Sequence, residues 1–304
     1  MDNYNQLIKQ AKLATKQKNF DEAIMFYEEA FKTMIIVDDL LDLALLYLDN
    51  KMPLKAKMAF ESIIDYFPNL PQGYYGLGLV YEQLSKIDLA EEAYQKVIKI
   101  DRTYAQAYFN IALLAEDVED EQRAYDYYKK TLLYNPNHFW ANLNLGSFYE
   151  KKEMYDLALE HTIKAYKQNP NEKMVTFNLG VIYSKLGDYE KAIKHYKEEL
   201  KKENGYYMTY LNIALLYKDI YSNYEKSQYF LLEGISKYKD NVDLWYNLGC
   251  LYAIKEDYSN AINCFYYAAI KEPKIITTIE EDSELISFIK KGYYKELLEK
   301  IKQN

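Results

Sequence analysis

The sequence predicts an all-α fold, a solenoid of about eight helix-turn-helix units. Small residues return every 34 positions along most of the chain, and the apolar residues between them follow helical spacing. Composition agrees: 304 residues hold only 10 Gly and 6 Pro, fewer than strands joined by tight turns require.

Gly78, Ala112, Gly146, Gly180 and Ala214 stand 34 residues apart. Ala44 extends the series upstream, and Gly249 continues it after one inserted residue. Tyr47, Tyr81, Tyr149, Tyr183, Tyr217 and Tyr252 follow three residues after the small residue. Ala56, Ala90, Ala124, Ala158, Ala192 and Ala261 follow twelve after it, and Phe60, Tyr94, Tyr128, Tyr196 and Phe265 sixteen after. Pro68, Pro136, Pro170 and Pro273 close their units.

Numbered within a unit, the first columns fall at positions 4, 7, 8 and 11, the spacing of one helix face. Positions 20, 24 and 27 mark a second helix. Small residues at positions 8 and 20 let the two backbones approach, and aromatic residues fill the space that remains. A single pair cannot bury both stripes, so neighbouring units must stack into a continuous core.

These columns resemble the tetratricopeptide repeat, whose pattern is Trp-x-x-Leu-Gly-x-x-Tyr followed by Ala, aromatic, Ala and Pro. Trp245, Leu248, Gly249, Tyr252, Ala261, Phe265, Ala268 and Pro273 match it throughout. The resemblance implies a right-handed superhelical solenoid over residues 1–275, with units at 4–36, 37–70, 71–104, 105–138, 139–172, 173–206, 207–241 and 242–275. Unit 1 carries polar Gln10 beside Ala11 and Ala23, as suits an end helix with one side in solvent. Unit 7 has one extra residue around Tyr221-Ser222-Asn223-Tyr224, which predicts a longer turn. Residues 276–304 leave the pattern, and Leu285, Ile286, Ile289, Leu297, Leu298 and Ile301 predict a pair of capping helices there.

Net charge is −8 and no basic block occurs, which argues against nucleic acid as a partner. No run approaches the length of an apolar membrane span, and Met1-Asp2-Asn3-Tyr4-Asn5-Gln6 lacks the features of a signal peptide, so membrane insertion is not expected and a cytoplasmic location is. Cys250 and Cys264 are the only cysteines and are expected to be reduced thiols.

The expected function is protein binding, as an adaptor or scaffold. Position 6 lies nearly opposite the core at about 100° per residue. In the tetratricopeptide superhelix that side lines the concave groove. The column reads Lys9, Asp42, Gly76, Asn110, Asn144, Asn178, Asn212 and Asn247. An Asn amide donates and accepts, so a row of them can hold the backbone of an extended peptide. The row resembles the asparagine ladder in the repeat domain of O-linked N-acetylglucosamine transferases. Trp140, Met174 and Met208, at position 2 of three consecutive units, add apolar residues on a face that an idle helix would make polar. Position 5 (Tyr75, Phe109, Leu143, Phe177, Leu211, Tyr246) reads as packing between units. Position 12 (Glu82, Glu116, Glu150) reads as an acidic wall or a solvated face.

Other classes fit less well. The clamp by which some co-chaperones of this family hold heat-shock protein tails needs Lys at position 5, which here is apolar or aromatic from Ile8 to Tyr246. Gly73, Gly76 and Gly78 imitate a phosphate loop but fall inside a predicted helix. His138, His161 and His195 are expected at the surface, and no Cys or carboxylate cluster at ligand spacing accompanies them. Neither catalysis nor a cofactor is expected. The alternatives are a structural or assembly subunit acting through its convex face or by self-association as a homo-oligomer, and a non-catalytic specificity subunit of another enzyme.

Overall fold

The computed structural model describes residues 2–202 and 206–303, and every regular element among them is helical. Sixteen helices pair as eight hairpins. In order they are α1 (Asp2–Lys16) with α2 (Phe20–Phe31), α3 (Val37–Asp49) with α4 (Pro53–Tyr66), α5 (Pro71–Gln83) with α6 (Ile87–Ile100), and α7 (Ala105–Asp117) with α8 (Glu121–Tyr134). Then follow α9 (Phe139–Lys151) with α10 (Tyr155–Gln168), α11 (Val175–Lys185) with α12 (Tyr189–Glu199), α13 (Tyr207–Leu215) with α14 (Tyr224–Lys237), and α15 (Val242–Ile254) with α16 (Tyr258–Lys271). Short helices α17 (Ile275–Glu281), α18 (Ile286–Lys290) and α19 (Tyr293–Lys302) complete the chain. The all-α repeat fold is the one the 34-residue period predicts.

The turn inside each hairpin is built around one left-handed residue. Lys18, Lys51, Ser85, Glu119, Glu153, Gly187, Ser222 and Glu256 all have positive φ. The residue after each returns its N–H to the last turn of the first helix, as in Lys86 N to Tyr81 O at 2.8 Å and Asp188 N to Tyr183 O at 2.9 Å. In seven of the eight this is the six-to-one bond of the Schellman closure, which needs one left-handed residue; in unit 7 Asn223 N reaches one residue further back, to Tyr217 O at 2.7 Å. The next helix then starts on a side-chain cap in several units, with Asp120, Asp188, Asn223 and Asp257 accepting the N–H three residues on.

Unit 7 departs from expectation. Its turn is no longer than the others, since Ser222 takes the positive φ and Asn223 caps α14. The extra residue is absorbed inside the first helix, where α13 continues into one π-helical turn, Leu216–Ile220. Placing it there keeps Tyr217 buried and stacked on Phe230, with ring centroids 5.7 Å apart.

The chain forms two compact bodies, Met1–Leu145 and Gly146–Asn304. In the first, Tyr27, Phe60 and Tyr94 are buried at position 24 of their units, beside the fully buried Ala11, Ala23, Ala44, Ala56 and Ala90. In the second, the same column supplies Tyr196, Leu231 and Phe265. The C-terminal helices cover α16: Phe288 meets Phe265 edge to face at 5.3 Å, and Tyr293 stacks on Tyr258 at 4.3 Å. Leu285 and Leu297 are fully buried in that contact, whereas Ile286 is exposed and Phe288 fills the core in its place. Lys218, on the π-turn, reaches this segment and donates to both carboxylate oxygens of Glu284, at 2.8 and 2.6 Å.

Candidate functional site

Position 24 organises each hairpin. The rings of Tyr94, Tyr128 and Tyr196 are buried, and position 8 must make room for them: a Cβ added at Gly78 or Gly180 would overlap the ring of Tyr94 or Tyr196. The position-5 ring of the same unit packs alongside, with centroids at 5.6 Å for Tyr75 and Tyr94, 5.8 Å for Phe109 and Tyr128, and 5.9 Å for Phe177 and Tyr196. Position 5 was expected to pack between units; these rings pack first inside their own unit.

The tyrosine hydroxyls emerge under position 6 of the following unit. Asn110 Nδ2 donates to Tyr94 OH at 2.9 Å, Asn144 Nδ2 to Tyr128 OH at 2.7 Å, and Asn212 Nδ2 to Tyr196 OH at 3.1 Å. Where position 24 offers no such hydroxyl the next position 6 behaves differently. Opposite Phe60 stands Gly76, where any side chain would overlap the ring. Thr162 turns its hydroxyl onto its own backbone at Ala158 O, and Asn178 donates instead to Ser147 Oγ at 3.2 Å. Opposite Leu231, Asn247 folds back onto Asp243 O at 2.8 Å.

In the first body the pairing extends into a chain of polar groups. Ala141 N donates to His138 Nδ1 (3.2 Å), His138 Nε2 donates to Gln106 Oε1 (3.0 Å), Gln106 Nε2 to Asn110 Oδ1 (3.1 Å), and Tyr94 OH to Glu82 Oε1 (2.8 Å). Asn110 is 5% exposed and its amide is engaged on both sides. Burial pushes the Glu82 carboxyl up, opposed by the Tyr94 hydroxyl, and lifts the Tyr94 phenol far above its ordinary range. Burial, and after it the charge of Glu116, raise the Tyr128 phenol in the same way.

In the second body the column is different. Position 12 of unit 6 is Ser184, with no carboxylate for the Tyr196 proton. Among the described residues the Asn212 amide is the hydrogen-bonding partner of that hydroxyl. Both groups line a pocket of about 310 Å³ between α11 and α13 with its π-turn. Val181, Leu215, Leu216 and Ile220 supply apolar wall, Tyr189 adds a ring, and Ser184, Lys185 and Asp219 complete the lining.

The eight residues expected to touch a peptide are therefore not equivalent. Asn144, Asn178, Asn212 and Asn247 are half-buried, and Asn110 is buried with its amide saturated, which corrects its expected place as a peptide ligand. Trp140 is exposed, its ring edge against Phe139. Met174 is exposed too, but lies before α11 as a left-handed N-cap (φ 67°) rather than within the helix. Met208 packs against the core of its body instead of standing free. The histidines also differ from expectation. His138 and His195 are buried and His161 half-buried, each against an aromatic ring: Phe109 for His138, Tyr149 for His161 and Tyr183 for His195. Burial lowers the pKa of all three. Cys250 and Cys264 are both buried free thiols, and burial pushes both up to about 12. No group of three or more His, Cys, Asp or Glu side chains among the described residues is arranged to hold a metal ion. No helix there is long and apolar enough to cross a membrane.

Tyr94, Tyr128, Tyr196, Gln106, His138 and Ser184 were not singled out for the site by the sequence. The signal that could have found the tyrosines is the constant separation of 16 residues in the pairs Tyr94–Asn110, Tyr128–Asn144 and Tyr196–Asn212.

Family profiles described as tetratricopeptide repeat match residues 40–70, 71–104, 105–138, 137–202 and 242–268. The chain belongs to the tetratricopeptide repeat family, a family of protein-interaction scaffolds. No curated protein matches it by sequence. Among solved structures, it resembles the C-terminal part of a TPR repeat-containing protein from Cytophaga hutchinsonii, at 17% identity and TM-score 0.60 over 81% of this chain and 98% of that one. It is also similar to Pseudomonas aeruginosa pilF, with 18% identity, TM-score 0.58, and 68% and 94% covered. YrrB, described as a TPR protein with an unusual peptide-binding site, is 21% identical with TM-score 0.56, and 61% and 95% covered. At these identities the likeness is one of fold.

Proposed function

We propose that this scaffold holds an extended segment of a partner protein along the first helices of its repeats, and that in the second body the segment passes over the pocket floored by Asn212 and Tyr196. The observation that carries the reading is that pocket. Apolar wall surrounds a few convergent polar groups, the usual make-up of a small binding site. Asn144, Asn178 and Asn212 each keep amide capacity beyond the single bond they make, enough to pair with a peptide backbone. That YrrB, a protein of the same fold, has a peptide-binding site is consistent with this reading.

The test is binding of the full chain to a random peptide library, beside a variant carrying Asn144→Ala, Asn178→Ala and Asn212→Ala. Each contact contributes about 1 kcal/mol, so the variant should lose binding by roughly two orders of magnitude. Equal binding by both proteins sinks the proposal. Helical content of the two, compared by circular dichroism, separates lost contacts from lost fold.

A second reading, an assembly subunit acting through its outer helices, is favoured by Met25 on α2 and by Leu54 and Met58 on α4. These are 56%, 69% and 68% exposed. Light scattering across a concentration series tests it, and a strictly monomeric chain counts against self-association.

A further inference from the structure

The pocket between α11 and α13 offers a more specific reading, which rests on the peptide-binding function proposed above. In unit 3 a carboxylate at position 12 fixes the direction of the hydrogen bonds: Tyr94 donates to Glu82, so Asn110 must donate to the hydroxyl. In unit 6 position 12 is Ser184, and nothing comparable fixes the direction.

The Tyr196 hydroxyl and the Asn212 amide share one hydrogen bond between them. Whichever partner donates it, the pair has donors and acceptors left over, and no described residue takes them up. In one sense the spare groups are the phenolic proton and the amide oxygen. In the other they are the phenolic lone pair and the amide hydrogens. Tyr196 is 2% exposed, and it and Asn212 both line the pocket, so this unspent capacity lies where an entering group could meet it.

We infer that the pocket is a specificity site for one side chain of the partner segment, and that the side chain is a carboxamide, glutamine in particular. A carboxamide carries a donor and an acceptor side by side and answers the Tyr196–Asn212 pair in either sense. A carboxylate only accepts, and an ammonium only donates. Charge points the same way. Lys185 and Asp219, of opposite sign, both line the pocket, and Glu150 acts on Tyr196 from the preceding unit, so an anion gains little there. The apolar walls from Val181, Leu215, Leu216 and Ile220 suit the methylene stem of glutamine, and a volume of about 310 Å³ is small for a binding site, holding one side chain rather than a folded element.

The probe is N-acetylglutamine methylamide, titrated into the full chain while the side-chain amide signals of Asn212 are followed by NMR. The glutamate and leucine analogues run alongside. The glutamine probe should shift the Asn212 signals saturably at millimolar concentration, with the other two weaker by about fivefold or more, the worth of one neutral hydrogen bond. Tyr196→Phe should weaken the glutamine probe about tenfold. Ser184→Glu, which installs the arrangement of unit 3, should abolish its binding and leave the fold intact. Equal shifts from leucine, no shift from glutamine, or undiminished binding to Ser184→Glu overturns the inference. If the peptide library still binds while the glutamine probe fails, the specificity site is lost and the scaffold function stands. If neither binds, both fall.

Discussion

The two bodies use the same hairpin for opposite ends. In the first, the tyrosine at position 24 joins a chain from Glu82 to His138 in which each group has its partner. In the second, Tyr196 sits on an equivalent glycine with an equivalent asparagine above it, yet the carboxylate is replaced by Ser184 and the hydroxyl opens on a pocket. A buried polar network that is fully satisfied gives rigidity, and the less complete one around Tyr196 is where binding is proposed. The two differ at position 12, Glu82 against Ser184, and at position 2 of the following unit, Gln106 against Met208.

The strongest way to break this comparison is to remove the asparagine from each body. Asn110→Ala strands the Tyr94 and Gln106 polar groups in a buried site and should cost about 3 kcal/mol, while Asn212→Ala, beside a pocket that admits water, should cost about 1 kcal/mol. Denaturant titration checks the totals, and amide exchange in α7 and α13 localises the losses. Equal costs would mean that the two networks do not differ as described.

Removing the hydroxyl is the next largest step. Tyr94→Phe takes from Glu82 its tyrosine donor and from the Asn110 amide its closest acceptor and should cost about 2 kcal/mol, against less than about 1 kcal/mol for Tyr196→Phe.

Acid sharpens the picture in the first body. His138 caps α9 by accepting from Ala141 N, which requires a neutral Nδ1, and burial holds its pKa below the ordinary 6.5. Because the folded pKa is the lower one, the unfolded chain takes up the proton first. The stabilisation is complete above about pH 6.5 and is lost as pH falls through the folded value. His138→Asn keeps a capping acceptor that does not titrate. Melting temperatures of the two proteins should keep a constant offset above that pH and drift against the wild type below it.

The smallest effects serve as a control, because the hairpin turns are alike in both bodies. Glu119→Gly and Ser222→Gly should each stabilise by up to about 1 kcal/mol by relieving a left-handed residue, and Gly187→Ala should cost a similar amount, since only its backbone and no neighbouring atom resists a side chain. A difference between bodies here would point to a cause other than the polar network.

The hairpins were legible because their signals are periodic: Gly78, Ala90 and Tyr94 must recur wherever two helices cross in the same way. Much of the site was not, because it lies in the exceptions. The asparagine column was visible, but its meaning depends on the residue 16 positions earlier, and a column read alone cannot show that Tyr94 uses Asn110 while Leu231 leaves Asn247 to its own helix. His138 was hidden for a related reason: its position in an inter-unit turn suggests solvent, and only the fold brings Phe109 and Gln106 against it. The π-turn was foreseen as an insertion but misplaced, since spacing registers an extra residue without showing which one the helix will accommodate.

That π-turn bears on how such a molecule changes over time. An extra codon in a repeat array ordinarily threatens the register of everything downstream, yet here Tyr217 within the turn and Ser222 beyond it keep their places. The insertion is contained within one turn, and Leu216, Asp219 and Ile220 of that turn line the pocket beside Asn212 and Leu215 of the regular helix before it. A repeat protein of this design can gain or lose a recognition feature through a single in-frame event, with its neighbours conserved as scaffold.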